Sequence, residues 1–161
     1  EKDRKNIIVW VDLAINYAFK RQYARSNYVL YNVLPLVEID VQNQHVILYN
    51  LAVNYYKMKD YENSSKYLML AENLKSDLDT QILGTFLDVR FGRLDLAKKK
   101  LKILIDQYPE NIEVALKLAE VYHIEKDRKM EKEVIDDLIK RNPKAARDRR
   151  VLKYNAKRNK N

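Results

Sequence analysis

The chain has 161 residues, 47% of them hydrophobic and 34% charged, with two Gly, three Pro, no Cys and a formal net charge of +8. That aliphatic content excludes a disordered chain, the missing Cys excludes a disulfide framework, and the isolated Gly84 and Gly92 cannot furnish a Walker loop or a G-x-G-x-x-G turn. With Pro35, Pro109 and Pro143 far apart and so few turn residues, the composition points to an ordered domain that is mostly helix.

The sequence opens on Glu1 with no apolar signal core behind it, which reads as a piece of a longer chain and leaves the compartment open between cytoplasm and periplasm. Its longest stretch without a formal charge, Val41 to Tyr56, carries Gln42, Asn43, Gln44, His45, Asn50 and Asn54 and is too polar to cross a bilayer. Trp10, Leu13, Ala14 and Tyr17 stand at i, i+3, i+4 and i+7, one apolar stripe on a helix. The spacing returns as Leu48, Leu51, Ala52, Tyr55 and as Ala115, Leu118, Ala119, Tyr122, with a weaker copy at Thr80, Leu83, Gly84, Leu87. A second stripe follows each: Tyr23, Ser26, Leu30, Val33, then Tyr61, Ser64, Leu68, Ala71, then Leu94, Ala97, Leu101, Leu104. Units therefore start near residues 7, 45, 77 and 112.

Small residues inside the stripes (Ala14, Ala52, Gly84 and Ala119 on first helices, Ser26, Ser64 and Ala97 on second helices) let paired helices approach closely, which offers a packing reason for Gly84. The fourth unit departs: Glu131 stands where a small residue is expected and Arg128 where an aromatic is usual, making its second helix the weakest element. Asn111 can cap the helix beginning at Ile112, and Asn142 followed by Pro143 reads as the cap of a ninth helix running to near Arg158.

The pattern resembles the tetratricopeptide repeat (TPR), whose signature is Trp-x2-Leu-Gly-x2-Tyr, an Ala-x3-Phe element and a terminal Pro. Trp10 to Tyr17 fits the first part, Leu48 to Tyr55 with Asp60 and Tyr61 fits better, and Pro109 and Pro143 close their units. The resemblance implies an all-α, right-handed solenoid of antiparallel helix pairs: four pairs over residues 1–143 and a basic capping helix and tail over 144–161. It also implies a protein-interaction scaffold that holds a partner's peptide or helix on a concave face lined by first helices. Carried over residue by residue, that face comprises Val11, Asp12 and Ile15; Tyr49, Asn50, Val53, Tyr56 and Lys57; Gln81, Ile82, Thr85 and Asp88; Leu116, Lys117, Glu120 and His123. The family's best-known ligand mode, a clamp on a C-terminal carboxylate, matches Val11, Ile15, Asn50, Leu78 and Ile82 here, so only Asn50 survives and an internal segment is expected instead.

Of sixteen aromatics twelve are Tyr, and Tyr17, Tyr23, Tyr55, Tyr61 and Tyr122 fall on core positions, whereas Tyr49 and Tyr56 flank the core stripe. The run Lys98, Lys99, Lys100, Lys102 reads as a solvated face. His45 and His123 stand apart with no second ligand at metal spacing, and the neighbours Asp136 and Asp137 point in different directions on a helix, so neither a metal, a cofactor, a small-molecule substrate nor catalysis is expected. From Lys144 onward the charge is nearly uncompensated: Lys144, Arg147, Arg149, Arg150, Lys153, Lys157, Arg158 and Lys160 against Asp148 give +7 of the total +8. That segment supports an alternative, binding of RNA or lipid head groups.

Overall fold

A computed structural model describes residues 2–37 and 39–158, with side chains for 7–37 and 39–156. Among the described residues there are nine α-helices and no strand. They are α1 (Lys2–Phe19), α2 (Tyr23–Val33), α3 (Val41–Lys57), α4 (Tyr61–Leu74), α5 (Leu78–Arg90), α6 (Leu94–Gln107), α7 (Ile112–Ile124), α8 (Arg128–Arg141) and α9 (Arg149–Arg158), with 3-10 turns at Leu34–Val37 and Pro143–Arg147. The chain divides into two compact units, residues 1–87 and 88–161.

The reversals from α1 to α2, α3 to α4, α5 to α6 and α7 to α8 share one backbone device. In each, one residue takes a left-handed conformation: Arg21 (φ 59°), Lys59 (66°), Gly92 (74°) and Lys126 (62°). Its N–H and the next one fold back onto the helix just ended: Lys59 to the Tyr56 carbonyl and Asp60 to Tyr55, with the same pair at Arg21/Gln22, Gly92/Arg93 and Lys126/Asp127. This is a Schellman ending, which satisfies orphaned carbonyls in the space of two residues. Asp60 then caps α4 through Asn63 N (3.1 Å), and Asp127 caps α8 through Met130 N (3.0 Å). Asn111 caps α7 as expected, accepting from Glu113 N (3.0 Å) and Val114 N (3.1 Å).

The shared turn corrects the phase of the third repeat. Asp88, whose carbonyl accepts from Arg93 N, holds the place of Tyr17, Tyr55 and Tyr122. The third stripe is therefore Gln81, Gly84, Thr85, Asp88, one position later than the apolar pattern suggests. Thr85, not Gly84, takes the small-residue place, and Thr85 to Ala97 is the same separation as Ala14 to Ser26 and Ala52 to Ser64. Gly84 consequently has no packing demand on it: a Cβ there would meet Glu72 Oε1 and Leu68 Cδ2 at 3.7 Å, ordinary contact.

In the first unit the core joins Ile7, Val11 and Ala14 of α1 to Leu30 and Val33 of α2, Val37, and Ile47 and Leu51 of α3. Trp10 is 49% exposed, because Ile7, Val11 and Ala14 take the centre of the buried face and leave the indole at its margin. The small residues do pack closely here: Ser64 and Ala52 are fully buried, and Ser64 Oγ donates to the Ala52 carbonyl at 2.8 Å.

In the second unit Ala115, Ala119, Ile135 and Leu138 pack with Ala145 and Val151, so α9 covers α7 and α8. The second helix of the fourth repeat is a full helix of 14 residues. The continuous ninth helix is corrected: Pro143–Arg147 forms a 3-10 turn, Asp148 is extended, and the α-helix starts at Arg149. Asn142 makes no side-chain capping bond, and its amide nitrogen donates to the Glu110 carbonyl at 3.2 Å. Asp148 does cap, accepting from Arg150 N at 2.8 Å and from the Arg150 guanidinium at 3.0 and 3.1 Å.

The two glycines should respond oppositely to alanine. Gly84→Ala, whose Cβ meets only ordinary contacts, should stabilise by about 1 kcal/mol, whereas Gly92→Ala, at φ 74°, should destabilise by about 1 kcal/mol. Lys126→Gly should stabilise like Gly84→Ala, and urea unfolding of the three variants measures all of these signs.

Candidate functional site

An open cavity of about 340 Å³ lies between α1 and α3 in the first unit. Ile15, Ala18 and Phe19 reach it from one face of α1. Asn50, Val53, Asn54 and Lys57 reach it from one face of α3, at i, i+3, i+4 and i+7. Arg21 and Tyr23 close it from the turn and the start of α2. Its volume falls at the low end of ligand pockets, about 300–1,000 Å³, and like them it is mainly apolar with a few polar groups.

Those polar groups are fixed by the fold. Asn54 is buried, and its amide nitrogen donates to Ser26 Oγ and Asn27 Oδ1, both at 2.8 Å. Asn50 donates one N–H to the Val46 carbonyl of its own helix at 2.8 Å. Arg21 and Lys57 are exposed. Neither forms an ion pair among the described residues, and no carboxylate lines the cavity. Of the residues expected on the concave face, Ile15, Asn50, Val53 and Lys57 are brought together here; Ala18, Phe19, Arg21, Tyr23 and Asn54 are additions.

The other expected residues are placed differently. Asp12 is exposed on α1, its carbonyl accepting from Asn16 Nδ2 at 3.0 Å. Tyr49 and Tyr56 are half-buried against Ala52, Leu68, Leu83 and Leu87. The Tyr56 ring also lies 5.5 Å from Tyr61 and 5.9 Å from Phe86. They are packing residues, so their joint removal would cost stability as well as surface. Thr85 is fully buried and donates to the Ile82 carbonyl at 2.7 Å, which withdraws it from any partner; Val11, Ile82 and Asp88 are buried too. Gln81 is exposed and donates to Ser76 Oγ at 3.4 Å.

In the second unit Leu116 is half-buried against the α7–α9 core, and Lys117, mostly buried, pairs with Glu120. His123 belongs to a cluster around Glu131, whose side chain is fully buried. Tyr154 of α9 donates to Glu131 Oε1 at 2.8 Å, Arg128 Nη1 donates to Oε2 at 3.3 Å, and His123 Nδ1 lies 3.2 Å from Oε1. Arg128 Nη1 only donates, so a proton on His123 Nδ1 goes to Glu131, whereas an unprotonated Nδ1 accepts from Arg128 at 3.0 Å. The lysine run is likewise no mere solvated face: Lys98 binds Glu125 at 2.6 Å, and Lys100 with Arg93 holds buried Asp88, each at 2.8 Å. Lys144, Arg147, Arg149 and Lys153 are exposed, while Arg150 is held by Asp148. The side chains of Lys157 and Arg158, and all of Lys160, lie outside the described residues.

Among the described residues no group of three or more His, Asp or Glu could hold a metal ion, and no helix is long and apolar enough to cross a membrane.

No protein-family model matches the chain, and neither does any curated protein sequence. Among solved structures it is similar to YrrB, described as a TPR protein with an unusual peptide-binding site, at a TM-score of 0.68 and 17% identity over 96% of this chain and 76% of that one. A structure of MamA (AMB-1) gives a TM-score of 0.64 at 16% identity, over 87% of this chain and 75% of that one. The chain has the TPR-like fold. Within the TPR frame, Glu131 occupies the small-residue place of the fourth second helix, and its hydrogen bonds tie the capping helix to that repeat.

Burial pushes the Glu131 carboxyl up, but the hydrogen bonds from Tyr154 and His123 and the neighbouring Arg128 outweigh it, so it titrates below its ordinary 4.5. A depressed folded value means the stabilisation is complete above about pH 4.5 and is lost as pH falls through the folded value. Tyr154→Phe should cost about 1–2 kcal/mol at neutral pH and, by raising the carboxyl's folded value, bring acid unfolding to higher pH; pH-dependent urea titration of the two proteins checks both.

Proposed function

We propose that this chain is a non-catalytic protein-interaction module whose first unit holds an internal segment of another protein in the groove between α1 and α3. The observation that carries the reading is the open apolar cavity whose walls are two adjacent first helices and whose polar groups are already oriented by the fold. Apolar lining gives binding energy by excluding water, and a preset frame reduces the ordering cost. The fold it shares with YrrB, itself a TPR protein with a peptide-binding site, supports the same class of ligand. The absence of clamp cations at Val11, Ile15, Leu78 and Ile82 argues against recognition of a free C-terminal carboxylate.

Filling the cavity tests this. Ala18→Phe places a ring in the opening from a half-buried helix position, so peptides enriched from a displayed library by the native chain should lose binding while circular dichroism stays unchanged. Equal binding by the variant would remove the reading.

A second reading concerns the basic end. Lys144, Arg147, Arg149 and Lys153 are exposed around a helix that the core anchors through Val151, which fixes four cations on a folded surface. Replacing those four by Gln should flatten the salt dependence of binding to a polyanion such as poly(U) or anionic vesicles. If the native chain binds neither at low salt, this second reading fails.

A further inference from the structure

The ligand's chemistry can be taken one step further, resting on the reading of the α1–α3 groove as a peptide site. We infer that the segment it holds carries a large apolar side chain with an Asp or Glu beside it, within two residues along an extended backbone.

The apolar part follows from the wall. Ile15, Ala18 and Val53, with the Tyr23 ring, surround a space large enough for an aromatic or long aliphatic side chain. Phe19 stands 83% exposed at its edge, an apolar surface with nothing over it.

The acidic part follows from the charges. Arg21 and Lys57 both reach the same cavity, from different elements, and neither forms an ion pair among the described residues. Other cations are held by the protein's own carboxylates, Arg93 and Lys100 by Asp88, Lys98 by Glu125 and Arg128 by Glu131, which these two are not. Two unspent cations facing an apolar cavity with no carboxylate in its lining create a positive potential there. Excluding water from the cavity on binding strengthens it. A basic neighbour would be repelled, and a neutral one would leave both cations without a partner. Asn50, half-buried and with an amide N–H committed to the Val46 carbonyl, is placed to accept from the segment's backbone.

Arg21 permits an unusually clean test. It sits at φ 59°, so Arg21→Gly removes the cation while relieving the turn rather than straining it. Lys57 is exposed at the end of α3, and Lys57→Gln removes the second cation without touching the core. The probe is a displayed library of short random peptides blocked at both ends. Selected sequences are then measured by fluorescence anisotropy as Asp/Glu, Asn/Gln and Lys versions.

The native chain should enrich a large apolar residue with Asp or Glu within two positions and bind the acidic version about tenfold more tightly than the amide version. The double variant Arg21→Gly, Lys57→Gln should bind both versions alike, at the native chain's affinity for the amide. Enrichment of an apolar anchor with no acidic preference, or an acidic preference that survives in the double variant, overturns the inference and leaves the groove reading standing. Enrichment of nothing, or of peptides whose binding is indifferent to Ala18→Phe, overturns both.

Discussion

Everything regular in this chain depends on how a helix reverses direction. In the four reversals within repeats, a left-handed residue followed by a capping position closes two carbonyls of the outgoing helix and starts the next helix at once. With the turn fixed, the rotation of α2, α4 and α8 about their axes is fixed relative to α1, α3 and α7, so within those pairs residues a constant distance apart in sequence are the ones that answer each other. Ser64 bonding to the Ala52 carbonyl is that relation realised. Only Gly92 adopts the turn conformation freely; Arg21, Lys59 and Lys126 hold it at a cost of about 1 kcal/mol each, which the rest of the turn must offset.

The turn also explains which parts of the fold a sequence pattern can reveal. Stripes at Leu48 to Tyr55 and Ala115 to Tyr122 are legible because the buried positions are apolar or aromatic. The third stripe is read one position early because its phase depends on Asp88, and hydropathy ranks a buried aspartate as a surface residue. Asp88 is buried only because Arg93 and Lys100 come to it. Glu131 is the same case: it looks like a defect in the eighth helix until Tyr154, Arg128 and His123 surround it. Two charged residues inside stripes mislead for one physical reason, that partners distant in sequence set the cost of burial.

The candidate site divides along similar lines. Ile15, Asn50, Val53 and Lys57 follow from helical spacing, since each lies on the same face as its neighbours whatever the next helix does. Tyr56 and Thr85 are misjudged because what covers them comes from other positions, Tyr61 and Phe86 over one ring and the surrounding packing over the other side chain. Arg21 is invisible to periodicity altogether. It reaches the cavity from a left-handed turn, and nothing in the order of residues announces that an arginine will adopt the conformation usually left to glycine.

Charge distribution gives the two units different chemical characters. The second unit draws its buried acids, Asp88 and Glu131, into contact with cations and a tyrosine hydroxyl, so much of its charge is consumed in holding helices together. Beside the cavity of the first unit the buried polar groups are neutral: Asn54 bonds Ser26 and Asn27, and Ser64 binds backbone. A neutral network asks nothing of nearby cations. Arg21 and Lys57 can therefore stand at a cavity mouth without being drawn inward, whereas an aspartate at position 54 would pull at least one of them into an internal ion pair and close the opening. The availability of that cavity is thus a consequence of which polar side chains are buried beside it, the amides of Asn54 and Asn27 and the hydroxyl of Ser26 rather than a carboxylate.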